Sequence, residues 1–262
     1  MTLVFAAITP HPPVLLPTTD TKARTKLAAT EYALSQLEQE LYLARPQVVI
    51  IISPHTSFFA QAFSINAHNV FSSHFEEFGD VQTKETWHGD PDLAAMIAHN
   101  RNHDIPIQLV SEEVLDHGAS IPLYFLTRQL RKTKILPIGF SQLSTKDHLD
   151  FGECIKESIM HSGKRVAIIA SGDLSHTLSP GSPAGYNPQG KQFDETIQKL
   201  LFSKNTVGVA QLDPQMVKGA EECGYRSILI LLGALKNTDY SFKTLSYEAP
   251  FGVGYLTGIF HF

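Results

Sequence analysis

PQVVIIISPH (46–55) decides the fold. Val48 to Ile52 are all β-branched, which favours an extended chain. The run is apolar at every position rather than at alternate ones. It therefore has no polar face to give to water, and it reads as a strand buried on both sides, as strands of a parallel sheet are. Ser53 and Pro54 end it, and His55 stands just beyond its carboxyl end.

The same pattern recurs outward from this stretch. LVFAAI (3–8) is a short apolar strand, and ITPH carries the chain on to His11. KRVAIIAS (164–171) is a second β-branched run, followed through GDLS by His176. KILPIGF (134–140), AFSINA (62–67) and residues 107–110 are further strand candidates. Between them lie helical periods. Residues 21–45 place Leu27, Leu34, Leu37 and Leu41 on one stripe. Residues 91–102 are helical, as is SIPLYFLTRQLR (120–131), with Ser120 as cap and Pro122 in the first turn. Ser144 opens and Gly163 closes a helix over 144–163. Residues 189–203, 213–221 and 225–236 complete the set, and the tail from Tyr240 alternates like a strand pair. This alternation predicts a single α/β domain over residues 1–262, three layers deep, with a mostly parallel or mixed central sheet covered by helices on both faces.

Composition narrows the function classes. Hydrophobic residues make up 43% of the 262 and charged residues 18%, which is globular rather than disordered. A net charge of −5 with no Lys/Arg run argues against nucleic acid and anionic membrane. No apolar run reaches spanning length. The opening MTLVFAAITPHPPVLLP lacks a basic start and a cleavage site, so no leader is expected. Cys154 and Cys223 make no disulfide framework, and a cytoplasmic location is expected. PGSPAGYNPQG (180–190) follows a strand and reads as an active-site loop.

Twelve histidines are many for this length. A strand-end histidine is usually structural or solvated. Here His11, His55 and His176 all follow β-runs, and His117 in LDHGASIP just precedes a helix. In open α/β sheets ligands bind outside the carboxyl ends of strands, so the four histidines are expected at one edge. Imidazole is the commonest neutral metal ligand and a proton shuttle near neutral pH. A divalent ion held by two imidazoles calls for an acidic third ligand, as in the two-His-one-carboxylate triad of non-haem iron. Glu221, Glu222 and Cys223 lie together in KGAEECGYRS, and adjacent acids before a glycine are equally compatible with a solvated helix end. Asp173 in SGDLSH is another acidic candidate, or a residue that caps the following turn or orients His176. No Gly-x-Ser-x-Gly elbow, phosphate loop or dinucleotide fingerprint competes. Phe58 and Phe59, just after His55, are placed to line a pocket for a flat substrate.

Taken in order, ITPHPPVLLP, VVIIISPHTSFF, LDHGASIPLYFL, VAIIASGDLSHTL, AEECGYRSILILLGAL and LSYEAPFGVGY resemble the LigB-like family of class III extradiol ring-cleavage dioxygenases. They are most like the LigB-type domain of AmmeMemoRadiSam-associated proteins, with a distant relation to Memo-type proteins. The resemblance implies that His11, His55 and Glu222 hold a metal, Fe(II) in the family, with Zn(II) or another divalent ion possible in purified protein. It implies His176 as acid/base and His117 as a second pocket histidine. A Memo-type relative uses the cysteine at the place of Cys223 as a ligand. The implied reaction inserts O2 into a catechol- or aminophenol-type aromatic. Two alternatives are a Memo-like redox or metal-binding protein without ring cleavage, and a zinc hydrolase. The expected partners are a small aromatic substrate and O2, with a homo-oligomer or a partner subunit.

Overall fold

The computed structural model describes residues 3–262 apart from Thr19 and Arg101. Its strands are β1 (Leu3–Thr9), β2 (Val48–Ser53), β3 (Phe63–Asn66), β4 (Val70–Ser73), β5 (Thr86–His88), β6 (Ile107–Val110), β7 (Val114–Leu115), β8 (Lys134–Gly139), β9 (Val166–Ser171), β10 (Ser241–Glu248) and β11 (Tyr255–His261). Eight form one mixed sheet in the order β10-β11-β1-β9-β2-β8-β3-β6, and β5-β4-β7 make a small second sheet. β1, β9, β2 and β8 run parallel. β10 and β11 pair antiparallel at one edge, with β11 against β1.

Strand alternation divides the core. Ile8, Val48, Ile50, Ile52, Ile168 and Ala170 face one layer, where they meet α5 (Thr145–Ser162) and α9 (Tyr225–Ala234). Phe5, Ala7, Val49, Ile51, Ala167 and Ile169 face the other, packed on α2 (Ala28–Ala44) and α4 (His117–Leu126). Leu27, Leu34, Leu37 and Leu41 are all buried against that second face, and each such side chain contributes roughly 1.5–3 kcal/mol. The remaining helices are α1 (Thr21–Arg24), α3 (Pro91–Ala98), α6 (Pro188–Phe202), α7 (Thr206–Ala210) and α8 (Pro214–Ala220). Among the described residues no helix is long and apolar enough to cross a membrane.

Three expected elements differ. The helix over 21–45 breaks into α1, a 3-10 turn at Thr25–Leu27 and α2. α1 buries no residue, so no apolar core holds it in line with the longer helix, and the Arg24–Glu31 ion pair is what ties the two together. The helix expected over 120–131 begins at His117, because Asp116 caps it by accepting the Ala119 N–H. That moves Pro122 from the first turn into the helix interior. The helix expected over 91–102 stops at Ala98.

β1, β9 and β2 are adjacent and parallel, so Thr9, Ser171 and Ser53 end at one edge of the sheet. His11, His55 and the loop to His176 leave from that edge.

Candidate metal centre

His11 sits at the bottom of the site, 3% exposed. Its backbone N–H donates to Asp173 Oδ1 at 3.0 Å. Its Nδ1 is 2.9 Å from Ser171 Oγ, whose own proton goes to the Gly118 carbonyl at 2.6 Å. The Ser171 oxygen must therefore accept, and His11 Nδ1 must donate. The lone pair of Nε2 is left pointing into the cluster, the arrangement by which outer partners fix metal-binding histidines.

The Gly118 carbonyl is available because of Pro122. In an α-helix it would accept from residue 122, and proline has no N–H. Gly118 also allows α4 to approach: a Cβ there would lie 2.6 Å from Ser53 Oγ and 3.1 Å from His55 Cδ2. Ser53 Oγ donates to Asp116 and accepts the His55 N–H at 3.3 Å. The β2 turn and the α4 cap are thus one unit.

His55 Nε2 comes within 3.2 Å of His11 Nε2. Two ring nitrogens at that distance need a proton or a cation between them. Cys223 Sγ is 3.7 Å from His11 Nε2 and receives the Asp173 N–H at 3.2 Å. One ligand atom each from His11, His55 and Cys223 lies within 4.8 Å of the others, and the same holds for Asp173, His176 and Cys223. His117 stacks on His55, ring centroids 4.3 Å apart. The His176 Nδ1 donates to the Glu221 carbonyl, leaving Nε2 toward Asp173 Oδ2 at 4.0 Å. His55 is exposed while His117, His176 and Cys223 are partly so, and the cluster opens to solvent on that side.

Electrostatics suit a cation. Burial, then the neighbouring imidazoles, hold His11 well below the usual histidine range. The same causes lower His55 to about 4, and burial lowers His117. These rings are neutral at neutral pH, the form in which histidine binds a metal. Burial pushes Asp173 up to about 6 and the Cys223 thiol well up. A cation would compensate both anions.

The structure does not bring Glu222 into this cluster. Its carboxylate accepts the Tyr225 N–H at the start of α9 and lines a cavity on the other side with His148 and Arg226. Glu221, the C-cap of α8, is left-handed at φ 50°. Gly172 and Gly224 then meet face to face, a Cβ on Gly172 falling 2.1 Å from Gly224 Cα. Chain reversal at these points turns Cys223 inward and leaves Glu222 to satisfy a helix N–H. Phe58 instead lies edge-on to Phe140, and a phenyl ring that meets His117 is that of Phe78, at 5.2 Å. The 180–190 loop folds back on the His176 carbonyl through the Ala184 N–H at 3.4 Å. Sequence pattern alone gives Ser53, Gly118 and Ser171 no role at the site. A proline four residues after a glycine in a helix is the one signal that could have pointed to the last two.

The donor set fits a metal ion: two neutral nitrogens with convergent lone pairs, one sulfur, and a buried carboxyl alongside. Imidazole and thiolate together suit iron, copper or zinc.

The chain is also similar to known proteins in fold and in sequence. A solved structure from Escherichia coli K12, uncharacterized protein JW3007, superposes with a TM-score of 0.70 at 16% identity, over 99% of this chain and 100% of that one. The chain is 30% identical over 256 residues to Protein CA_C1420 of Clostridium acetobutylicum, covering 94% of this chain and 55% of that protein. It is 28% identical over 138 residues to a MEMO1 family protein of Methanosarcina mazei, covering 52% and 48%. It is 24% identical over 169 residues to 2,3-dihydroxyphenylpropionate/2,3-dihydroxicinnamic acid 1,2-dioxygenase of Paraburkholderia xenovorans, covering 61% and 51%. The chain spans about half the length of these curated relatives. Residues 5–258 match the family model described as the catalytic LigB subunit of aromatic ring-opening dioxygenase, and the chain belongs to that family.

Proposed function

We propose that this chain is a metal-dependent oxidoreductase of the extradiol type that joins O2 to a small aromatic diol or aminophenol. The observation that carries the reading is the convergence of one ring nitrogen each from His11 and His55 with Cys223 Sγ, all within 4.8 Å of one another. Those three residues would hold the ion. When bound, a redox-active divalent metal such as Fe(II) supplies Lewis acidity and the one-electron chemistry that O2 requires.

The residues around it divide the remaining work. His176 has Nδ1 pinned to the Glu221 carbonyl, so Nε2 is the atom that takes a substrate hydroxyl proton and later returns it. Asp173 Oδ2, 4.0 Å away, compensates the charge that His176 acquires. His117, kept neutral by burial, offers a ring edge to substrate oxygen, and Phe78 beside it supplies an apolar wall for a flat ring.

The test is oxygen uptake. Protein reconstituted anaerobically with Fe(II) is mixed with air-saturated buffer and a panel of catechols and aminophenols. Uptake with formation of a ring-opened semialdehyde is expected. Full iron occupancy with no uptake across the panel would sink the reading. The Cys223 sulfur favours one second reading, a redox or metal-binding protein of the Memo type without ring cleavage. That reading expects tight copper binding that depends on Cys223, and no uptake with any diol.

A further inference from the structure

The cavity behind Glu222 is separate chemistry. It has a volume of about 460 Å³, within the range of small-molecule sites. It lies between the start of α5, α8 and the first turns of α9, with Leu143, Leu212, Val217 and Leu229 as its apolar wall. Two polar groups on it can take a ligand, a buried imidazole nitrogen and a half-exposed guanidinium. His148 is 1% exposed. Its Nδ1 is 2.8 Å from the Ser144 carbonyl, so Nδ1 carries the proton and Nε2 is an acceptor. That Nε2 is buried with no hydrogen-bond partner among the described residues. An acceptor buried unpaired has lost its water and gained nothing in return.

The second group is Arg226. Its guanidinium lies 5.5 Å from the centre of the Phe140 ring. Among the described residues it makes no hydrogen bond or ion pair. The same Phe140 ring is 6.4 Å from His148, so the fork of donors and the orphan acceptor flank one ring, and both residues line the cavity. Arg226 and Lys218 are balanced there by Glu221 and Glu222.

An arginine fork matches a carboxylate with two parallel hydrogen bonds. A lone imidazole acceptor needs an O–H or N–H. We propose that this cavity is a binding site for a small apolar carboxylate that also carries a hydroxyl or amino donor, with Arg226 taking the carboxylate and His148 Nε2 taking the donor. The site shares a wall with the metal cluster, residues 221–223, but uses none of its ligand atoms. It stands whether or not the chain cleaves aromatic rings.

The test is direct binding to the full chain by isothermal titration calorimetry, with 3-hydroxybenzoate as the probe. Saturable one-to-one binding is expected. 3-Hydroxybenzamide, which lacks the charge, should bind at least 10-fold more weakly, and benzoate, which lacks the donor, several-fold more weakly. Arg226→Gln should weaken 3-hydroxybenzoate at least 10-fold. His148→Phe should erase the advantage of 3-hydroxybenzoate over benzoate. His55→Ala, which breaks the metal cluster, should leave affinity within twofold. The proposal is overturned by no saturable binding, by equal affinity for acid and amide, or by binding lost in His55→Ala and kept in Arg226→Gln. Thermal melts confirm the variants are folded; if Arg226→Gln does not fold, the acid and amide comparison on the unmodified chain decides.

Discussion

The Gly118 carbonyl takes its hydrogen bond from Ser171 on β9, not from its own helix. Pro122 leaves the carbonyl free, Ser171 spends its proton there, and His11 must then donate from Nδ1. A missing N–H in α4 thus sets the tautomer of a histidine just beyond β1.

Ser171→Ala removes the middle of that relay. The Gly118 carbonyl loses its partner, at a cost of about 1–3 kcal/mol of stability. His11 is free to rotate and to change tautomer, and loss of such an outer partner typically weakens metal binding about 10–100-fold. Competition with a chromophoric chelator measures it. Unchanged affinity in a folded variant would show that Ser171 does not orient His11.

The third ligand can be assigned by a pair of variants. Cys223→Ser should abolish tight binding of a divalent ion, because the sulfur is the acidic donor beside His11 and His55. Glu222→Gln should retain it, because that side chain serves the Tyr225 N–H. Metal analysis after dialysis reads both. The opposite outcome would require the 221–224 turn to invert when metal binds.

His176→Ala separates proton transfer from metal holding. The expected result is near-normal metal content with turnover reduced about 100–10,000-fold, the usual worth of a general acid/base. Loss of metal instead would place His176 among the ligands, at the Asp173, His176 and Cys223 group.

Features that repeat locally were legible in the sequence. The unbroken apolar runs at Val48–Ile52 and Val166–Ala170 specify buried parallel strands, and parallel strands deliver the loops after them to one edge. That reasoning carries His11, His55 and His176 to the same place. The choice between Glu222 and Cys223 is not local. It depends on left-handed backbone at Glu221 and on Gly172 packing against Gly224, two residues that touch only once β9 and α9 are assembled. The small sheet β5-β4-β7 was illegible for another reason: its strands have two to four residues, too few to show a period.

Gly172→Ala probes that tertiary contact. The added methyl would fall 2.1 Å from Gly224 Cα and 2.8 Å from its nitrogen, and backbone cannot rotate aside as a side chain can. Overpacking of this kind costs about 1–3 kcal/mol, and relief by moving the 221–224 turn would carry Cys223 away from His11. Urea unfolding should show the loss of stability, and metal titration a loss of affinity larger than that of a remote variant of equal stability. Wild-type affinity in a destabilised protein would mean the Cys223 turn tolerates displacement.

Asp194 gives a pH-dependent prediction. On α6 it accepts the Ser175 N–H at 2.9 Å and the Tyr247 O–H at 2.6 Å, holding the loop between Asp173 and His176. Burial outweighs these two bonds and raises its carboxyl from 3.8 to about 6. The folded state therefore keeps its proton when the unfolded chain has lost it. Stability from this group is full below pH 4, falls as pH rises through about 6, and stays reduced above it. A shift of about two units corresponds to at most about 3 kcal/mol. Asp194→Asn cannot ionise and escapes that loss, although it gives up one acceptor. Urea unfolding of both proteins at pH 4 and pH 8 should show the difference moving in favour of asparagine by about 1–3 kcal/mol at the higher pH. A difference that stays constant, or moves toward aspartate, would mean the carboxyl is already ionised in the folded protein at pH 4 and that its two hydrogen bonds outweigh its burial.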